Sequence, residues 1–164
     1  MPALTLAQQP KVDLTATLTT VAPRVAAKDF SLKDLDGKTQ RLADYQGKVV
    51  LINFWGSWCP PCRREMPSME RLYQKLQGEP FTIFGVNQNE SFDLVFSFTG
   101  QIDPAPTFPM LLDLQGSVPP RFGVRGLPAS FLIDKRGRIA YRAMGGREFD
   151  HPDIEKAIRS LIAE

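Results

Sequence analysis

The sequence predicts an α/β fold, a three-layer sandwich with a central mixed sheet and helices on both faces. Three observations carry that expectation. Residues 48–54 hold an almost unbroken apolar run, Val49, Val50, Leu51 and Ile52, as suits a central parallel strand covered on both sides. A helix-spaced series and a second apolar strand follow it, which makes a βαβ unit. Near the end, two strands across a tight turn precede a last helix, so a parallel sheet is finished by an antiparallel hairpin.

Taken in order, Val12, Leu14, Ala16 and Leu18 alternate with Asp13, Thr15, Thr17 and Thr19, the period-two pattern of a half-buried strand that Pro23 is expected to end. The same residues also read as a Thr-rich flexible leader. Residues 1–28 are therefore an N-terminal extension, one strand or a mobile tail, and the compact domain is placed at 29–164. Residues 29–32 and 38–42 flank Asp36-Gly37 and form a small hairpin. After Cys59, the residues Met66, Met69, Leu72, Tyr73 and Leu76 recur at helical spacing until Gly78 and Pro80 stop the helix. Residues 81–86 supply the parallel partner strand. Residues 91–98 read as a helix with Phe92, Val95 and Phe96 on one side, closed by Pro104, Pro106 and Pro109. Residues 110–113 are a short strand, 129–134 and 138–143 a hairpin across Lys135-Arg136-Gly137, and Pro152 opens the final helix.

The chain has 164 residues, 43% of them hydrophobic, enough for one core, and 20 Lys plus Arg against 18 Asp plus Glu give a formal charge of +2. So balanced a charge argues against nucleic acid as a partner. No run approaches the roughly 18 apolar residues of a membrane span, and residues 1–10 lack the continuous apolar stretch of a signal peptide. The two cysteines lie three positions apart, too close to staple distant parts of a fold.

That spacing points to redox chemistry. A thiol attacks as its thiolate, and a helix N-terminus favours ionisation through its unpaired N–H groups and partial positive charge. Cys59 stands there. Cys62, one turn on, can attack a mixed disulfide at Cys59 and release the reduced partner. Pro60 and Pro61 suit the first helical positions, where no intrahelical N–H partner is lost, and they withhold two donors from the thiolate. With no cation between the cysteines, the pair is expected to act as a reductant. A zinc site needs four ligands, whereas the chain offers no second cysteine pair and one histidine, His151, which more simply starts the last helix. The other reading is a non-catalytic module handling Cu(I), with Met66 as the nearby soft ligand. No cofactor and no resident metal are expected.

The run Asn53-Phe54-Trp55-Gly56-Ser57-Trp58-Cys59-Pro60-Pro61-Cys62-Arg63-Arg64-Glu65-Met66-Pro67 resembles the thioredoxin-like proteins of the TlpA, ResA and DsbE (CcmG) group. A second block, Gly123-Val124-Arg125-Gly126-Leu127-Pro128-Ala129-Ser130-Phe131-Leu132-Ile133-Asp134, resembles the same group at its cis-proline strand. The resemblance implies a thioredoxin-like domain, a cis Pro128 facing the dithiol, and a Leu127 backbone that pairs with an extended substrate. It implies a Glu65 beside the dithiol that handles the proton of Cys62, since Asn53 stands where thioredoxin has a buried, proton-exchanging aspartate; a first-turn glutamate favoured by the helix dipole is the alternative. Glu90 resembles a further position near the site. Trp58, next to the nucleophile, matches an aromatic covering the active-site edge. Phe92, Phe96 and Phe98 read as core or, less simply, as a recognition surface. Pro119-Pro120 interrupt the short helix the group carries after Gly116.

The function expected is that of a thioredoxin-like protein-disulfide oxidoreductase: Cys59, Cys62 and Glu65 catalytic, Trp58, Pro60, Pro61, Leu127 and Pro128 contacting the substrate. Its expected partners are protein disulfides and a membrane thiol-disulfide electron donor, and it is expected to be a monomer. Kinship with the group implies a periplasmic or extracytoplasmic location, with a membrane anchor in the full-length form left open.

Overall fold

The computed structural model describes residues 18–164. Its strands are β1 Thr19–Ala26, β2 Ser31–Asp34, β3 Thr39–Arg41, β4 Val49–Trp55, β5 Phe81–Gln88, β6 Met110–Asp113, β7 Ala129–Ile133 and β8 Arg138–Met144. The helices are α1 Pro60–Lys75, α2 Phe92–Thr99 and α3 Pro152–Ala163. All eight strands join one sheet in the order β1-β8-β7-β4-β5-β6-β2-β3. Strands β4, β5 and β6 run parallel, while β7 pairs antiparallel with both β4 and β8. The expected mixed sheet is thus present, and the apolar run at β4 follows from its place: it has a neighbour on each edge, and every one of its residues is buried.

Side chains alternate along β4, so Val49, Leu51 and Trp55 face one layer and Val50, Ile52 and Phe54 the other. On the first face α1 packs through Met66, Met69, Leu72 and Leu76, and α3 through Ile154, Ile158 and Leu161. The second face is covered by two 3-10 helices, Leu42–Tyr45 and Pro119–Phe122, whose aromatic rings mesh with those of the sheet. Phe122 lies 5.5 Å from Phe54 and 5.2 Å from Phe131, and Tyr45 lies 4.8 Å from Phe84. Helical cover on both faces is therefore α on one side and 3-10 on the other. The consecutive prolines explain the shorter form, since neither has an N–H with which to extend an α ladder. Gly123, at φ 71°, closes the turn.

The N-terminal strand corrects two expectations. It runs through Pro23 to Ala26 instead of ending there, and it joins the sheet, so the sheet begins before residue 29. Most of the alternation at residues 12–18 lies outside the described residues. Proline is tolerated in β1 because β1 is an edge strand whose register against β8 slips between Thr20 and Val25. A third correction concerns α2. Val95, Phe98 and Thr99 are its buried residues, while Phe92 and Phe96 stack at 5.7 Å on the solvent side. Phe92 and Phe96 are four apart and share a face; Val95 lies about a quarter-turn round the helix from them and is buried with Phe98.

Candidate active site

Strand β4 ends at Trp55, and the loop Gly56-Ser57-Trp58 leads into Cys59, the N-cap of α1. Cys59 and Cys62 form a disulfide with Cα atoms 5.3 Å apart. Pro60 and Pro61 occupy the first two helical positions, as their missing donors favour. The loop is fixed from behind by Glu90. Its carboxylate accepts from the Ser57 backbone N–H at 2.9 Å, from the Ser57 hydroxyl, and from Asn87 Nδ2 at 2.6 Å. A Cβ at Gly56 would lie 2.7 Å from the Trp58 Nε1, so the glycine makes room for the indole. The indole of Trp58 thus folds over the loop and remains 66% exposed, whereas Trp55 is fully buried and stacks on Phe98.

An exposed Cys59 is what the open end of a helix suggests; the structure places it at 4% exposure and Cys62 at 0%. Bonded to each other, both sulfurs join the helix-side core. The ranking survives, with Cys59 the outer of the two.

Glu65, one turn beyond Cys62, is 1% exposed. One carboxyl oxygen accepts from Asn53 Nδ2 at 2.7 Å and the other from the Arg147 backbone N–H at 3.3 Å. Burial pushes its pKa up to about 8, against the opposing pull of those two donors and of the Arg147 charge, with Glu148 adding a smaller push in the same direction as burial. A carboxyl this buried is not a surface group placed to suit the helix dipole. Asn53 also donates to Ser130 Oγ at 2.9 Å, so a hydrogen-bonded chain runs from α1 through β4 to β7.

The Leu127–Pro128 peptide is cis. Pro128 accepts from the Gly145 N–H through its carbonyl at 3.0 Å, and half-buried Leu127 lines a groove of about 280 Å³ together with Trp58, Pro119, Pro120 and Arg125. On the other side of the dithiol, the segment after β8 is tied to α1. A Cβ on Gly146 would sit 3.1 Å from that of Pro61, and Phe149 N–H donates to Ser68 Oγ at 2.9 Å. The expected residues thus fall into three groups: Cys59, Cys62 and Glu65 along α1, Trp58 with Leu127 across the groove, and Pro61 against the Gly146 segment. Pro60 is exposed at the helix start. Met66, the ligand a copper site would recruit, is 1% exposed among core side chains. Among the described residues no cluster of three or more His, Cys, Asp or Glu is placed to hold a metal ion.

Ser130 and Arg147 are absent from the expected set. They meet Asn53 and Glu65 across sequence separations of 77 and 82 residues, which no local pattern reveals. Arg147 is 4% exposed, and its guanidinium donates to the carbonyls of Met144 and Gly145. Two consecutive glycines before it were the one signal of a close backbone approach.

A dithiol at the head of a helix, on a mixed sheet whose strand β7 follows a cis proline, defines a thioredoxin-fold redox protein. Residues 23–142 match the model of the AhpC/TSA family. Over 143 residues the chain is 46% identical to the thiol-disulfide oxidoreductase ResA of Geobacillus thermodenitrificans, covering 87% of this chain and 80% of the relative, and 41% identical over the same span to ResA of Geobacillus kaustophilus. Among solved structures it is similar to a Chlorobium tepidum chain described as a candidate DsbE thiol:disulfide interchange protein. That match has a TM-score of 0.78 at 32% identity, over 89% of this chain and 99% of the other. It is also similar to the exposed lipoprotein thioredoxin Etrx1 of Streptococcus pneumoniae, with a TM-score of 0.70 at 30% identity, over 82% of this chain and all of the other. The chain belongs to the AhpC/TSA family and, within it, to the ResA- and DsbE-like thiol-disulfide oxidoreductases. It is a thioredoxin-like protein-disulfide oxidoreductase whose redox pair is Cys59 and Cys62.

Proposed function

We propose that the protein reduces disulfides in partner proteins outside the cytosol. The single observation that carries this reading is the Cys59–Cys62 pair at the head of α1 with the buried Glu65 one turn behind it. In the reduced protein the Cys59 thiolate attacks one sulfur of the partner disulfide. A Cys59–partner bond forms and the other partner sulfur leaves as a thiolate. Cys62, deprotonated, then attacks Cys59 Sγ; the Cys59–Cys62 bond forms and the second partner sulfur leaves. Two electrons pass from the dithiol to the partner. Glu65 accepts and returns the proton of Cys62, for which a carboxyl pKa near that of a thiol keeps the exchange close to balance.

Trp58, Pro60, Pro61, Leu127 and Pro128 form the surface against which the partner chain lies, with the Leu127 backbone pairing to an extended segment. The thioredoxin-like domain takes in residues 29–164 together with Thr19–Ala26, the strand of the 1–28 extension that pairs with β8. A monomer re-reduced by a membrane thiol-disulfide donor fits the likeness to the exposed lipoprotein thioredoxin; among the described residues no helix is long and apolar enough to cross a membrane. The test is trapping. Cys62→Ser, expressed outside the cytosol, should accumulate mixed disulfides with partner proteins through Cys59, and Cys59→Ser should accumulate none. Equal trapping by both variants, or by neither, sinks the assignment.

A further inference from the structure

The groove beside Leu127 carries a charge that nothing inside the protein answers. Its walls mix apolar side chains, Trp58, Pro119, Pro120 and Leu127 among them, with the polar Asn89 and Gln115, and Arg125 is its one charged lining residue. Arg125 and Arg121, which follows the two wall prolines, are both exposed, and among the described residues neither makes an ion pair or a side-chain hydrogen bond. Among the described residues Arg63, Arg64, Arg136 and Arg142 likewise lack an ion pair, but none of them lines this groove, and other arginines are paired within the fold. Arg24 pairs with Asp134 and Glu164, Arg41 with Asp29, Arg71 with Glu148 and Asp150, and Arg159 with Glu79 and Glu155.

The carboxylates next to the groove point away from it. Glu90, adjoining the lining residue Asn89, is turned inward onto Ser57 and Asn87. Asp113, at the end of β6 before Gln115, is 2% exposed and accepts from the backbone N–H groups of Ser117 and Val118, each at 3.0 Å. The acids of this region are consumed by the fold, while its cations face solvent where a partner chain would run. A guanidinium at the rim of a partly desolvated groove is suited to pairing with a carboxylate.

We propose that this groove selects disulfide partners carrying an aspartate or glutamate within a few residues of the attacked cysteine, the carboxylate pairing with Arg125. The proposal rests on the reading of the protein as a disulfide reductase and adds to it the chemistry of the preferred partner. Charge complementarity of this kind acts on encounter and register, and it weakens as salt screens it.

The experiment uses reduced protein and three symmetrical disulfide-linked peptides that differ only in the residues flanking cysteine: glutamate, glutamine or lysine. Each second-order rate constant is divided by that of uncharged dithiothreitol with the same peptide, which removes the effect of the flanking charge on the thiol itself. The normalised glutamate-to-lysine ratio should be about fivefold at low ionic strength, fall toward one at high salt, approach one in Arg125→Gln and invert in Arg125→Glu. A wild-type ratio near one, or a ratio that Arg125→Glu leaves unchanged, overturns the proposal while the reductase reading stands. Hydroxyethyl disulfide separates the two ideas: if the wild-type protein reduces neither it nor any peptide, the reductase reading fails and the partner preference falls with it.

Discussion

Glu65 is the residue whose chemistry departs most from its ordinary state, and its environment has a consequence for stability. Unfolded, its carboxyl loses its proton near 4.5; folded, burial holds the proton up to about pH 8. Between those values the folded protein binds more protons than the unfolded one, so this group's contribution is fully present below about pH 4.5 and is lost as pH rises toward 8. Urea unfolding of the oxidised protein across pH 5 to 9 should therefore show a decline on the order of a few kcal/mol that Glu65→Gln flattens. The same variant should shift the pH dependence of thiol exchange, because Gln accepts no proton from Cys62. Parallel pH–stability curves for the two proteins would return Glu65 to a plain hydrogen-bonding role. The cysteines differ in a second measurable way. At 4% against 0% exposure, Cys59 should be alkylated first in the reduced protein and Cys62 only slowly, as mass mapping after brief labelling would resolve; prior labelling of Cys62 contradicts the assignment of roles.

At the scale of elements, α2 offers the sharpest test of the packing. Phe98 lies against Trp55 at 5.6 Å with the Arg63 guanidinium 5.0 Å over its ring, whereas Phe96 stacks only on Phe92 in solvent. Phe98→Ala should cost about 3 kcal/mol or more by denaturant unfolding, and Phe96→Ala should stay within about 0.5 kcal/mol. Reversed costs would mean that α2 presents its other face to the sheet. This helix also marks what the sequence could not convey. Three phenylalanines in seven residues give both faces an apolar look, so the sequence reading grouped Val95 with Phe92 and Phe96 instead of with Phe98. The bounds of the strands and helices from β4 onward were legible because apolar runs and helical repeats there are punctuated by Gly and Pro. The chain of hydrogen bonds from Glu65 through Asn53 to Ser130 was not, since it is made by three elements that meet only in the folded sheet. Strand β1 was misplaced for a related reason: its pairing with β8 allows a proline that a central strand would exclude.

For the whole molecule, the question is which way electrons flow, and the fold and the dithiol bear on it together. A dithiol becomes strongly oxidising when its reduced form is stabilised, chiefly through the nucleophile's thiolate. Here the two residues between the cysteines are prolines, which give that thiolate no N–H, and neither carries charge. The cation that follows, Arg63, lies over the ring of Phe98. Behind Cys62 stands Glu65, whose pKa burial raises to about 8; neutral or ionised, its carboxyl supplies no positive charge. What remains to favour the thiolate is the N-terminus of α1, a feature shared by reducing and oxidising members of the fold alike. The potential should accordingly fall nearer the thioredoxin value of about −270 mV than the value of about −120 mV typical of a strong oxidant. Trp58 folds over the loop that ends in Cys59, so its fluorescence should change on reduction and report the titration against glutathione or dithiothreitol buffers. A midpoint above about −150 mV would make the protein an acceptor of electrons from its partners, and the reductase direction would have to be given up.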